Sequence, residues 1–391
     1  MKSICFSALI LLVLTTPVVS QSWNMEWEKL SGINTQDFYS DITLAPDGGF
    51  IVLGSVGAGS AADLYLVKYN SEGDTLWSRT LVSPGNNIPG KLICLPNDDL
   101  LILSKSTEDE KTSTHLKRTG KNGQLKWEST LENAYTGNDI VSVSESEFMI
   151  VGSKTESGAE TPHIWLAKIN EKGEIIREKT YAGKGCANSI KQMPNGQFII
   201  GAQIAGKVKN DCDAAVIRTD SDGNEIWFSH LPSPNSKEWP QCVCCSPIDS
   251  SFIMVGWGGL CLNDITSEYP VFDFDVVVKK LSADGKLIWT KSIDGEGSEG
   301  GNNINILPDG DFIIAGTKAT SFSGKVGPWL LRIDQSGNVI DETLLNMRLE
   351  QASKAIIAPD GGIVVIGPGM NERLNPRSDG WIIKFSELQV Q

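Results

Sequence analysis

Histidine is scarce in this chain of 391 residues: there are three, His115, His163 and His230. They fall in different repeats, so a Ser-His-Asp or Cys-His catalytic arrangement cannot be argued from them. No nucleophile elbow, HExxH, P-loop or dinucleotide fingerprint occurs either. Positive charge is in deficit, with 34 Lys and Arg against 48 Asp and Glu and a net charge of -14. That sign argues against a phosphate-tracking surface, so nucleic acid is not an expected partner, and an anionic membrane would repel the chain. Beyond the first 20 residues no apolar run approaches the roughly 20 residues of a spanning helix, and no membrane span is expected. Helical apolar periodicity is absent throughout. The remainder, 40% hydrophobic and 21% charged with 39 Gly and 17 Pro, is ordinary globular composition.

Lys2, the apolar run Ile4 to Val13 and the modest residues Val18, Val19 and Ser20 read as an export signal cut before Gln21. Residues 1-20 are expected to be a signal peptide and 21-391 one extracytoplasmic domain, a monomer. Removing the signal leaves 33 basic and 48 acidic side chains, a balance of -15.

Internal repetition fixes the rest. Trp27, Trp77, Trp127 and Trp227 fall on one 50-residue grid, Arg177 holds the empty slot, and Trp289 continues the grid after an insertion. Each grid residue from Trp77 onward follows a turn such as NSEGDTLW, KNGQLKW or SDGNEIW, and QSGNVID ends the series at Asp341. A second turn recurs in register: PDGGF from Pro46, PNDDL from Pro96, PNGQF from Pro194, PDGDF from Pro308 and PDGGI from Pro359, with SESEF and PIDSSF as weaker versions. Each leads into a short apolar run with β-branched enrichment, the pattern of a buried strand between tight turns. The first repeat then holds strands over 39-45, 50-54, 64-69 and 75-81. Four antiparallel strands per 50 residues make a β-propeller blade. Seven third strands, centred near Leu66, Leu116, Leu166, Val216, Val278, Leu331 and Ile383, give an all-β, seven-bladed β-propeller. Only six fourth strands follow them. The segment 23-30 supplies the missing one, so the N-terminal strand should pair in the C-terminal blade and close the ring.

The pattern DGGFIVLGS followed by DLYLVKYNSEGDTLW resembles the repeats of secreted bacterial β-propeller proteins, over nearly the whole mature chain. More distantly, the turn-plus-Trp segments are similar to pyrroloquinoline-quinone-type propeller repeats of quinoprotein dehydrogenases and outer-membrane assembly scaffolds. The resemblance implies a fold and no particular reaction. No cofactor-clamping cluster accompanies it, and no cofactor is expected.

Recurring positions carry structural expectations. The Trp set should pack between neighbouring blades. A basic residue repeats in every third strand, at Lys68, Arg118, Lys168, Arg218, Lys280, Arg332 and Lys384, and is expected to pair with turn carboxylates such as Glu72, Asp222 or Asp284. Short polar residues five positions earlier, among them Asp63, Asp213 and Asp275, should satisfy loop amides, with His163 a variant of that cap. DSDGN from Asp220 resembles an acidic calcium loop, although the equivalent turns NSEGD, NEKGE and DQSGN are plain hairpin turns.

The seven mature cysteines are an odd number. Blade mapping places Cys186 with Cys212 and Cys242 with Cys261 on shared faces, so both pairs are expected as disulfides, with Cys244 a substitute for Cys242. Cys94 stands where the grid has Leu, a buried thiol. Cys242, Cys244 and Cys245 lack a second Cys or His pair at zinc spacing, so no metal site is expected.

Blade five breaks the rhythm with a long loop between Gly256 and Asp275. Trp239, Trp257, Asp264, Glu268, Tyr269, Phe272 and Asp273 are the candidate ligand-binding residues, since aromatic rings and carboxylates together suit an extracellular glycan or a protein segment. The opposing reading is a long loop that packs on itself. The expected function is a secreted binding or scaffold module, the alternative a hydrolase or lyase acting on extracellular polysaccharide; no catalytic residue is assigned.

Overall fold

The computed structural model describes residues 23-30, 37-57, 62-108, 111-131, 135-157, 159, 161-208, 210-233, 236-263, 265-269, 271-295, 297-319, 326-345, 349-371 and 377-387. The expected signal segment lies outside them. Every regular element among them is a β-strand.

The turn-strand rhythm becomes antiparallel sheets. Asp37–Leu44, Phe50–Val56, Asp63–Tyr69 and Thr75–Leu81 form one four-stranded sheet, within a residue or two of the expected strands. Asn86–Cys94 to Leu125–Leu131 and Glu299–Ile306 to Val339–Leu344 form two more of the same order. Between 135 and 293 the ladders run together into 11 strands. The cause is local: the 18-residue strand Ile175–Gln192 pairs through its first half with His163–Asn170 and through its second half with Phe198–Ala205. A single parallel bridge, Cys212 to Lys237, makes the other join.

The last sheet is completed from the opposite end of the chain. Trp23–Leu30 lies antiparallel to Arg377–Glu387, with Trp23 opposite Glu387 and Leu30 opposite Trp381. Trp23 is buried in the core shared with Leu330, Ile383 and Phe385, while Trp27 packs against Phe50 in the first sheet. The closing strand thus fastens both of its neighbours.

Second and third strands are nearly continuous apolar runs, because both faces of each sheet are covered. Phe50 to Leu53 and Phe198 to Ile200 are fully buried. The grid tryptophans lie where the repeat demands: Trp27 sits on Gly73, Trp77 on Gly123, Trp127 on Gly173, Trp227 on Gly285 and Trp289 on Gly337, each glycine in the turn of the next repeat. Gly73 has φ +81°, and a Cβ there would come within 2.8 Å of the indole. Glycine supplies both the left-handed backbone and the flat seat. Where the grid has Arg177, the contact becomes an ion pair to Asp222 at 2.9 Å.

The third-strand cations pair as expected in kind, with different partners. Lys68 bonds Asp47 at 2.5 Å, Arg118 Asp99 at 2.9 Å, Lys168 Glu147 at 2.9 Å and Lys280 Asp249 at 2.9 Å. Arg332 reaches Asp311 at 2.9 Å, Lys384 reaches Asp360 and Glu26, and Arg218 takes the neutral Gln197. All the turn partners lie in the first-to-second-strand turn. Of the carboxylates expected instead, Glu72 accepts from Ser71, Asp222 pairs with Arg177 and Asp284 with Lys286.

Neither expected disulfide forms: Cys186, Cys212, Cys242, Cys244 and Cys261 are all free thiols. Cys186 lies opposite Gln203, and Gln203 opposite Ala214, so a whole strand separates Cys186 from the strand of Cys212. Two strand spacings are about 9.5 Å, beyond the roughly 7 Å that a disulfide spans between Cα atoms. Cys242 pairs with Val255, six residues from Cys261 along the same strand, or about 20 Å. Cys244 is displaced further, opposite Ile253. Cys94 is half-buried among Leu53, Leu66 and Leu92, and burial pushes its thiol up to about 11.

Candidate functional site

The first strands converge on a common cavity. Most carry a bulge at the same point, leaving Ser40, Gly90, Asn138, Asn188, Gln241 and Asn302 without a ladder partner. A bulge re-aims the next side chain. Asp41, Lys91, Asp139, Ser189, Cys242 and Asn303 follow it, and Lys354 holds the same place in the last sheet. All line one cavity of about 240 Å3, together with Lys191.

The lining does structural work first. Asp41 accepts from Leu92 N at 2.7 Å, Asp139 from Ile190 N at 2.8 Å, Ser189 from Val243 N at 3.2 Å and Asn303 from Ala355 N at 3.2 Å, each bond crossing to the next first strand. Lys354 bonds Asp41 at 2.5 Å. Burial works against the charge of Lys91, and Asp139 and Asp41 more than offset it, holding its pKa above the usual lysine value. For Lys354 burial prevails, with the neighbouring ammonium groups of Lys91 and Lys191, and its pKa is lowered.

Above this charged floor the bulged residues make an amide-rich mouth. Asn138, Asn188, Gln241, Asn302 and Gln351 line a second cavity of about 350 Å3. Asn138, Asn188 and Asn302 each donate at 2.9 Å to a carbonyl in or just before the adjacent first strand, those of Ala187, Pro240 and Ala352. These bonds fix the amide planes.

On one side the mouth meets the expected blade-five residues. Trp239 stacks on Phe274 with ring centroids 5.0 Å apart and planes 16° from parallel. Trp257 meets the same ring edge-on at 6.4 Å, and Phe272 lies 5.8 Å away. Lys237 lies 4.7 Å over the Phe272 ring. The structure therefore brings together Trp239, Trp257 and Phe272 around Phe274, which the sequence reading missed. The alternation Phe272, Asp273, Phe274 on a strand was the available signal. Trp257 Nε1 donates to Asn302 Oδ1 at 3.0 Å, tying the aromatic shelf to the mouth.

The other candidates are peripheral. Tyr269 is 77% exposed and touches Glu268 through its hydroxyl at 3.3 Å. Asp273 is half-buried, and Asp264 lies outside the described residues. Asn263, rather than a disulfide, braces the loop, accepting from Val271 N at 2.9 Å and donating to Tyr269 O at 3.2 Å. Leu260, Leu262 and Val271 are exposed beside it.

The strand-start caps behave as expected at Asp63 and Asp213, which accept from Ser83 N at 3.1 Å and Ser233 N at 3.0 Å. The Asp220 turn uses both carboxylate oxygens internally, accepting from Asp222 N, Asn224 N and Asn224 Nδ2. Asn170 and Asp334 make the equivalent turn bonds.

No family model matches the chain, and no curated protein does so. Among solved structures it is similar to the Neurospora crassa Pan2 WD40 domain, with TM-score 0.58 and 10% identity over 96% of this chain and 99% of that one. It is similar also to the polysaccharide lyase Uly1, with TM-score 0.54 and 10% identity over 93% and 100%. BBS1N in complex with ARL6DN gives TM-score 0.54 and 8% identity over 95% and 99%. At these identities the likeness is one of fold: the chain has a propeller-like, all-β repeat architecture. Among the described residues no helix is long and apolar enough to cross a membrane.

Proposed function

We propose that the mature chain is an exported seven-bladed propeller that binds a carbohydrate at the amide-lined mouth, using Trp239, Trp257 and Phe274 as its apolar wall. A count of seven is supported by dividing the 18-residue strand between two sheets and counting Trp23–Leu30 as the outermost strand of the last. The observation that carries the binding reading is the Trp239–Phe274 stack held beside side-chain amides by the Trp257–Asn302 bond. Sugar rings have an apolar face that packs on aromatic planes and a rim of hydroxyls that matches amide donors and acceptors. Fixed amides and stiff rings lower the entropy cost of such binding.

The competing reading, a hydrolase or lyase acting on extracellular polysaccharide from the same face, shares the wall and adds turnover. One experiment separates them. A glycan array identifies retained sugars, and a reducing-end assay on those sugars reports cleavage. Retention without new reducing ends is the expected result. Trp239→Ala and Trp257→Ala should each weaken the retained glycan at least tenfold, in line with about 1–3 kcal/mol for an aromatic anchor. Wild-type affinity in both variants, with folding checked by circular dichroism, removes the site. New reducing ends instead establish the enzyme.

A further inference from the structure

On the seven-sheet count, three carboxylates converge at the junction between the fifth sheet, Ser236–Cys245 to Leu287–Ile293, and the sixth, Glu299–Ile306 to Val339–Leu344. Asp275 lies in the strand Phe272–Leu281 of the fifth sheet, Asp294 follows its last strand, Leu287–Ile293, and Glu299 begins the first strand of the sixth, Glu299–Ile306. One oxygen from each lies within 4.8 Å of the other two. Glu299 is fully buried, Asp275 half-buried and Asp294 exposed.

Their hydrogen bonding is one-sided. Asp275 uses Oδ2 to accept from Ser292 Oγ at 2.7 Å, and Glu299 uses Oε2 to accept from Gly295 N at 3.0 Å. Their other oxygens, Asp275 Oδ1 and Glu299 Oε1, are buried without a hydrogen-bond partner among the described residues. A buried unpaired carboxylate oxygen carries a large desolvation cost. Burial, and after it the Asp275 charge, pushes Glu299 up to about 7.

The repeat supplies its own control. Three residues before the bulge, the preceding sheet carries Glu238 where the sixth carries Glu299. Glu238 is also buried, but it meets Lys279 at 2.8 Å, Ser233 Oγ at 2.6 Å and Ala214 N at 3.2 Å. Among the described residues Glu299 has no such counter-ion. Lys318, whose charge reaches it, is bonded to Glu342 at 2.9 Å. The register position of Lys279 is Leu331 in this sheet, so no ammonium is supplied there, and the acids Asp275 and Asp294 lie beside Glu299.

We infer that Asp275, Asp294 and Glu299 bind a calcium ion that takes the place of the missing ammonium. Calcium binds oxygen ligands at about 2.3–2.6 Å, so opposite ligands sit up to about 5 Å apart, which matches the spread of this cluster better than the tighter magnesium octahedron. The exposed Asp294 gives the ion a path in, and Ser292 and Gly295 N hold Asp275 and Glu299 in place. The site adjoins the aromatic wall, since Asp275 follows Phe274 and Trp257 lies against Gly300 next to Glu299, but it uses different side chains and does not rest on the glycan reading.

The test is calorimetric titration of the full mature chain with calcium chloride after stripping with EDTA, beside thermal melting with and without 1 mM calcium. One calcium per chain and a rise of several degrees are expected. Asp294→Asn, at an exposed position, should weaken calcium at least tenfold while leaving the metal-free melting temperature unchanged. Glu299→Gln should abolish the calcium response and raise the metal-free melting temperature, because it removes a buried charge without a counter-ion. Absence of saturable heat in the wild type overturns the inference. So does wild-type affinity in Asp294→Asn and Glu299→Gln, which would place any bound calcium elsewhere, a location Asp220→Asn would then probe. Magnesium binding as tight as calcium overturns the choice of ion.

Discussion

At the scale of single residues, the third-strand cations show how a buried ammonium is made tolerable. Lys68 is 5% exposed, and its stem packs between sheets while its tip reaches Asp47 at the turn. The hydrogen bond from Lys68 lowers the pKa of Asp47, and the Gly49 N–H adds to it; at Asp360, Lys384 and Gly362 N outweigh the opposing effect of burial. Carboxylates with a depressed folded-state pKa give stability that is present above about pH 4–5 and lost as pH falls through the lower folded value. The urea midpoint should therefore hold from pH 7 to pH 5 and fall below pH 4. Asp47→Asn should cost about 1–2 kcal/mol at neutral pH, the penalty for weakening a buried donor's bond, and should show a shallower acid loss. A midpoint in Asp47→Asn equal to the wild type at pH 7 would show that the pair is worth nothing. The recurrence of the cation was legible in the sequence. Its partner was not, because both turns of a four-stranded repeat emerge on the same side and spacing cannot tell them apart.

At the scale of elements, turns and outer strands were readable because glycine, proline and tryptophan mark them at fixed intervals. The strand Trp23–Leu30 was predicted from its place on the grid, and it pairs where expected. Deleting residues 22-31 strips Trp23 from its core, unseats Trp27 from Gly73 and leaves Arg377–Glu387 as an open edge. Loss of one buried tryptophan alone costs about 3–5 kcal/mol, and the bared edge invites association. The shortened chain should melt many degrees lower and elute partly as aggregate in size-exclusion chromatography; unchanged melting as a monomer contradicts the closure. Disulfides were misjudged because a shared face was taken for proximity. Cys186 and Cys212 are separated by an intervening strand, a lateral distance that sequence order does not encode. The first strands were the least legible, since one bulged residue reverses which side chains face inward. Asp41, Lys91 and Lys354 therefore went unnoticed, as did the amides above them.

At the scale of the whole molecule, charge and aromatic surface are segregated. The cavity formed by the first strands holds cations and anions that bond to one another and to backbone amides, while the aromatic wall lies to one side of its mouth. The stretch after Gly256 stood out by its length, and the wall that its flanking strands help build became visible only when Phe274 was seen under Trp239. The closing pair has a mechanical consequence. Because Trp23 faces Glu387, the two free ends of the ladder lie together, and opposing tension on them strains a single rung at a time instead of shearing all rungs at once. A molecule tethered by residues 23 and 387 in an optical trap should peel open at far lower force than one gripped at residues 30 and 387, so whatever pulls on those two positions together will find the last sheet easy to unzip.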